Sequence, residues 1–366
     1  MIKHCARLMA PLRTIKSSPV AFNSTFALMY RDYGDPISVV SKVDTSDSLS
    51  LDSPLEGNQV LIQYVASTIN PSDINTIQGT YAIKPKLPAV GGNEGVGKVI
   101  RIGSQVTKFK PDDWVIPARP GLGTWRSHAI AAENDWMPID NDLELEAAAQ
   151  ITVNPPTAYR MLHDYVKLKQ GDCVLQNGAN SAVGLLVIQM CKAMGVKTIN
   201  VIRARPNPDD MTKLVNSLTE LGGNHIITEE DLRNREVMDS IWTKGTPKPI
   251  LTLNCINGDN ATNCVRHMAQ DGIMVTYGGM SKKPLIIPTG PIIFNHLQFV
   301  GFWVTRWKKD HAGKPEYYEM MNNLTNLFKE GKLKAPKVIP FKFDDYKNAL
   351  EKATAPFIEG KVILTP

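Results

Sequence analysis

Between residues 173 and 203 the chain reads strand, loop, helix, strand within about 30 residues, and this order restricts the fold more than any other feature. Residues 174–176 are a short apolar strand, and Asn177-Gly-Ala-Asn180 is a loop of small residues. From Ser181 to Met194 apolar side chains recur at helical spacing through Val183, Val187, Met190, Cys191 and Met194, and Gly195 supplies the stop. Residues 198–202 form a second strand. Such a unit requires parallel strands and a right-handed crossover. The alternation continues as helix 209–221, strand 225–228, strand 250–254, helix 260–268 and strand 273–277. The expected fold class is therefore α/β, with a doubly wound parallel sheet of the Rossmann type.

The flanking sequence has a different texture. From about residue 25 to 150, short β-like runs such as 59–65, 97–102 and 113–117 are broken by Gly and Pro, which suggests a compact β-rich unit. After the alternating region the chain returns to mixed texture, with an amphipathic helix over 314–331 and a strand near 362–364. The expected boundaries are 23–153 for the first part of a catalytic domain, 154–297 for a nucleotide-binding domain and 298–366 for a returning catalytic segment.

A parallel sheet of this kind binds ligands beyond the carboxyl ends of its strands. There the helix N-terminus offers free N–H groups and a favourable dipole to phosphate. In Asn177-Gly-Ala-Asn-Ser-Ala-Val-Gly184 every residue except Val183 is small or short and polar, so the backbone can approach a pyrophosphate. The second strand ends in Ile202-Arg203-Ala204-Arg205, with no carboxylate before Asp209. An enzyme using NAD places an acid there, on the ribose hydroxyls; a guanidinium fork suits a 2′-phosphate instead. Arg203 and Arg205 thus point to NADPH, unless they are simply solvated.

The formal charge of +5 does not mark a nucleic-acid binder. The first 18 residues hold Lys3, Arg7, Arg13 and Lys16 and no acid, and without them the excess falls to +1. With Leu8, Met9, Leu12, Ile15, Ser17 and Ser18 interspersed, residues 1–22 read as a mitochondrial transit peptide, the alternative being a basic tail. No apolar run is long enough for a membrane span. Cys5, Cys173, Cys191, Cys255 and Cys264 form no C-x-x-C pair and read as free thiols, and no histidine spacing suggests a metal site.

Gly91-Gly-Asn-Glu-Gly-Val-Gly-Lys-Val99 and Lys110-Pro-Asp-Asp-Trp-Val115 resemble the medium-chain dehydrogenase/reductase superfamily, which joins a GroES-like catalytic domain to a Rossmann domain. Aligning Asn70-Pro-Ser-Asp73 and Gly92-Asn-Glu94 with the zinc-binding motifs of that superfamily puts Asn70 and Asn93 at the catalytic ligand positions, so no metal is expected. Asn70-Pro-Ser-Asp-Ile-Asn75, Gln78-Gly-Thr-Tyr81, Gly121-Leu-Gly-Thr-Trp-Arg126, Asn154-Pro-Pro-Thr-Ala-Tyr-Arg160, Val275-Thr-Tyr-Gly-Gly-Met280 and Gly301-Phe-Trp-Val304 resemble the mitochondrial trans-2-enoyl-thioester reductases.

That resemblance implies NADPH-dependent reduction of enoyl thioesters carried on acyl carrier protein or CoA, in the mitochondrial matrix, by a homodimer. It implies Tyr81 and Trp303 as catalytic residues. It also implies cofactor contacts at Asn154, Asn180, Ser181, Ala182, Val183, Arg203, Arg205, Tyr277, Gly278, Gly279, Met280, Phe302, Trp303, Val304 and Lys361. A phenol can donate a hydrogen bond to the enolate oxygen that forms on hydride addition, which is the task a metal would otherwise perform. A packed loop tyrosine and a core tryptophan are the blander readings of Tyr81 and Trp303. Lys308 and Lys309 read as a solvated face, with docking of acidic partners as an addition. The competing functions are a quinone or alkenal reductase of the same superfamily and a catalytically retired interaction scaffold.

Overall fold

The computed structural model describes residues 25–366. The expected transit peptide, residues 1–22, lies outside the described residues, as does Cys5.

Sixteen strands form three sheets among the described residues. The β-rich part contains β1 (Phe26–Tyr30), β2 (Val40–Asp44), β3 (Gln59–Thr68), β4 (Ala89–Val90), β5 (Gly95–Ile102), β6 (Trp114–Pro117), β7 (His128–Ala132) and β8 (Trp136–Ile139). The alternating part contains β9 (Cys173–Asn177), β10 (Lys197–Ile202), β11 (His225–Thr228), β12 (Leu251–Asn254), β13 (Ile273–Thr276) and β14 (Gln298–Gly301). The returning segment adds β15 (Val338–Lys342) and β16 (Lys361–Thr365).

The alternating part is one six-stranded sheet in the order β11-β10-β9-β12-β13-β14, and every strand pair in it is parallel. Counted from β9 this is the doubly wound order, whose direction reverses between β9 and β12. The strands β9, β10 and β12 are buried almost throughout, and their buried polar residues, such as Gln176, Asn200 and Asn177, are paired with one another or with neighbouring side chains. β14 pairs with β13, so the sheet extends past the boundary expected at residue 297. The sequence offered no sign of this, because Gln298–Gly301 is a short edge strand without the apolar run of its neighbours.

The β-rich sheet runs β15-β16-β3-β5-β6-β8, with β7 on β3, and β1 sits between β2 and β4 in a smaller sheet. Trp125 ties the smaller sheet to the larger one. It is fully buried, and its indole N–H donates to the Thr68 carbonyl at 2.9 Å. Its ring occupies the space where a Cβ on Gly91 or Gly92 would stand, at 2.4 and 2.3 Å, so only glycine allows this approach. β16 pairs antiparallel with β3 through Ile363 and Thr68, which fastens the end of the chain to the first domain. A single apolar core then runs from Val96 and Ile116 through Ala158 and Met161 to Val174, Leu186 and Tyr317, joining both sheets.

Candidate active site

The nucleotide crevice is built at the point where the strand order reverses. β9 ends at Asn177, whose amide donates to the side-chain oxygens of Asn254 (2.8 Å) and Asn260 (2.9 Å), while its own oxygen accepts from the Cys255 N–H at 2.8 Å. These bonds hold the carboxyl ends of β9 and β12 together. Gly178 follows with φ +60°, and a Cβ there would stand 2.8 Å from the Cys255 sulfur. Ser181 caps the helix Ala182–Met194 by accepting from the Gly184 N–H at 3.2 Å. A Cβ on Gly184 would lie 2.4 Å from the Ala179 carbonyl oxygen, so glycine lets the first turn sit directly on the loop.

Arg203 and Arg205 follow β10, as expected. The Nε and Nη2 atoms of Arg205 are buried and have no hydrogen-bond partner, although both are strong donors. Donors in this state at the end of the second strand fit an anionic group on the ribose and therefore fit NADPH. Every position expected to contact the cofactor, from Asn154 to Lys361, lines one cavity of about 1380 Å³, and Tyr81 lines it too.

Tyr81 is carried on the loop after the helix Pro71–Ile77. Its own N–H and that of Thr80 both donate to the Asn75 carbonyl, at 3.1 and 3.0 Å, which fixes the backbone. The Trp303 indole N–H donates to the Tyr81 hydroxyl oxygen at 2.7 Å, and the two rings meet edge to face with centroids 5.9 Å apart. Burial raises the Tyr81 pKa above its usual value, hydrogen bonds from Trp303 and Thr305 oppose the rise, and Asp73 adds to it. The phenol is therefore neutral near pH 7. Because its oxygen accepts from Trp303, its own proton is available to donate.

Where superfamily members carry zinc ligands, this chain carries a closed polar network. The Asn70 amide donates to Glu94 at 2.8 Å, and the Asn93 amide donates to Asp73 at 2.8 Å. Glu94 is fully buried and accepts also from the Thr68 hydroxyl (2.9 Å) and the N–H groups of Thr152 (2.9 Å) and Val153 (2.7 Å). The Lys361 ammonium donates to the Asn70 oxygen, and the Asn154 amide reaches the same oxygen at 3.4 Å. Burial pushes Asp73 up to about 6 against the hydrogen bonds from Asn70 and Asn93, and lowers the pKa of Lys361. Among the described residues no group of three or more His, Cys, Asp or Glu is arranged to hold a metal.

Lys308 corrects one expectation. It is buried rather than solvated, donates to the Thr152 carbonyl at 3.2 Å, and is lowered to about 8 by that burial. Lys309, next to it, is exposed. Sequence reasoning also missed Asp73, Glu94, Thr305 and Lys308 as parts of the site. Nothing local marks them: Asp73 stands in a polar stretch, Glu94 among glycines and Lys308 beside other charges, and they meet only when the helix Pro71–Ile77, the residues before β5 and the helix Val304–Asp310 are brought together.

The fold and the site define a GroES-plus-Rossmann oxidoreductase whose reacting centre is surrounded by a phenol, an indole and amides. Two family models agree with this: the alcohol dehydrogenase GroES-like domain matches residues 56–141 and the zinc-binding dehydrogenase model matches residues 182–326. The mitochondrial enoyl-[acyl-carrier-protein] reductase of Bos taurus is 47% identical over 339 residues, covering 93% of this chain and 88% of that protein. The mitochondrial 2-enoyl thioester reductase Etr1p/Etr2p heterodimer from Candida tropicalis superposes with a TM-score of 0.86 at 35% identity, over 94% of this chain and 100% of that one. The Etr1p/NADP/crotonyl-CoA complex gives 0.87 at 35% identity, with the same coverage. The chain belongs to the mitochondrial enoyl-[acyl-carrier-protein] reductase family.

Proposed function

We propose that this protein reduces trans-2-enoyl thioesters, on acyl carrier protein or CoA, to acyl thioesters with NADPH in the mitochondrial matrix, the last step of a fatty acid synthesis cycle. The observation that carries the reading is the Tyr81 hydroxyl, held by Trp303 on the wall of the same cavity as the phosphate loop and the strand-end arginines.

NADPH, when bound, supplies a hydride to the β-carbon of the substrate. Charge then builds on the thioester oxygen, and Tyr81 donates its phenolic proton in a hydrogen bond to that oxygen. Trp303 fixes the direction of that bond by occupying a lone pair of the phenol. Asn154 and Lys361, both on the wall of the cavity, converge on the buried Asn70, and Arg203 and Arg205, on the same wall, would hold the 2′-phosphate. Proton uptake at the α-carbon completes saturation.

The active form is a homodimer. β14 is the edge of the six-stranded sheet, and beside it Ile292, Ile293 and Phe294 are 42%, 63% and 78% exposed. An open edge with apolar side chains next to it suits pairing with a second copy. Among the described residues no helix is long and apolar enough to cross a membrane.

The test is NADPH oxidation with trans-2-enoyl-CoA of graded chain length beside a small quinone. Conversion of the enoyl thioesters to saturated acyl-CoA, faster than quinone turnover, is expected. Faster turnover of the quinone would replace this reading with that of a quinone reductase.

A further inference from the structure

Phe357 lies in the loop between the helix Tyr346–Thr354 and β16, far in sequence from the nucleotide fingerprint. Its backbone is left-handed, with φ +56°, a conformation that aromatic residues rarely adopt. The residue is 42% exposed and belongs to none of the hydrophobic clusters among the described residues. Core packing therefore does not account for its placement. The ring instead lies under two guanidinium groups, 4.7 Å from that of Arg205 and 5.8 Å from that of Arg203.

We propose that Phe357 is a positioning residue for cofactor selection: it orients the Arg205 fork, and more weakly that of Arg203, toward the 2′-phosphate of NADPH. The inference rests on the assignment of NADPH as cofactor. An aromatic face attracts the flat side of a guanidinium and leaves its N–H edge free. The buried Nε and Nη2 donors of Arg205 have no partner of their own, so the ring provides orientation without competing for them. Glu359, two residues further on, is the carboxylate whose charge acts most on Arg205. It offers a local counter-charge for a cation that otherwise faces Arg203.

The placement also joins two domains. Arg205 follows β10 of the nucleotide-binding sheet, whereas Phe357 precedes β16, whose first residue, Lys361, reaches Asn70 in the catalytic part. One stretch of five residues thus spans the cavity from the 2′-phosphate end to the network beside Tyr81. Capture of the phosphate by Arg205 stabilises the same segment that carries Lys361.

The test compares binding of adenosine 2′,5′-bisphosphate and adenosine 5′-monophosphate, which differ only in the 2′-phosphate, by calorimetry on the full-length protein. Phe357→Leu keeps an apolar side chain and removes the aromatic face, Phe357→Ala removes both, and Phe357→Trp keeps the face. The leucine variant should lose about tenfold in affinity for the bisphosphate and less than about twofold for the monophosphate, with the tryptophan variant near wild type. Its KM for NADPH should rise by a similar factor, and by more than kcat falls. Equal losses on both nucleotides would overturn the proposal in favour of simple stacking on adenine, and unchanged bisphosphate affinity would overturn it outright. Should Phe357→Ala not fold, the leucine variant carries the test. A wild-type protein that binds both nucleotides equally contradicts the NADPH assignment itself, whereas a wild type that discriminates beside a leucine variant that does so equally well contradicts only the role of Phe357.

Discussion

The indole N–H of Trp303 donates to the hydroxyl oxygen of Tyr81 at 2.7 Å across 222 positions of sequence. The bond joins the end of the nucleotide-binding sheet to a loop of the catalytic part. It leaves the phenolic proton as the free donor. Trp303→Phe keeps an aromatic ring, smaller than the indole, and removes the N–H. Because Tyr81 then keeps its proton but loses its orientation, kcat with crotonyl-CoA should fall by about tenfold, a larger factor than the rise in the KM for NADPH from the lost cofactor contact. Steady-state kinetics with separate NADPH titration checks this, and an unchanged kcat would confine Trp303 to packing.

The arginines after β10 should separate the two nicotinamide cofactors. A charge-assisted hydrogen bond contributes about 1.5–3 kcal/mol, so Arg205→Ala should raise the KM for NADPH by about 10- to 100-fold. The KM for NADH should stay within about twofold of its wild-type value. Parallel losses on both cofactors would show that the side chain supports the fold of the loop rather than the phosphate.

Asp73 gives a pH signature. Its carboxyl titrates at about 6 in the folded protein, chiefly because it is buried, against about 3.9 for an unfolded aspartate. The folded state therefore holds the proton more tightly between these values. The stability this confers is complete below the unfolded pKa and is lost as pH rises through 6. Urea melts of wild type and Asp73→Asn from pH 4 to 7 should show wild type losing stability relative to the variant as pH rises. A constant difference over that range would contradict the assignment.

Glu94 should be the most costly position in the site to neutralise. It accepts from Thr68, Asn70, Thr152 and Val153 while wholly buried, close enough to act on the charges of Lys308 and Lys361. Glu94→Gln removes the negative charge and turns one of the two acceptor oxygens into an NH2 donor that faces other donors. Loss of one partner in a buried charged network costs about 3–5 kcal/mol. Chemical denaturation should show a loss of that order, and a change below about 1 kcal/mol would mean the network readily rearranges.

The exposed edge of the six-stranded sheet makes the dimer testable. Phe294→Asp replaces the most exposed of these apolar side chains with a charge, beside Ile292 and Ile293. Light scattering should report a dimer for wild type and a shift toward monomer for the variant. A monomeric wild type would remove the homodimer from the account.

Local signals were legible where periodicity alone decides the structure. The strand expected at 225–228 is His225–Thr228, and the helix expected over 314–331 is Pro315–Lys329. The crevice was legible because Asn177–Gly184 must combine small size with a helix start. The sequence did not show features that depend on tertiary contact. Lys308 sits beside Lys309 and reads like it, yet the turn of the helix Val304–Asp310 buries one and exposes the other. Phe357 has no local pattern at all, because its partners follow β10, some 150 residues earlier. Glu94 appeared only as part of a glycine-rich motif, since its donors come from β3 and from the residues before the helix Asn154–His163.

The central claim is that a phenol receives the charge which hydride addition places on the thioester oxygen. The most direct test is turnover of crotonyl-CoA by Tyr81→Phe at saturating NADPH. The account predicts a loss of about 100-fold or more in kcat with cofactor affinity preserved. Turnover equal to wild type would contradict it.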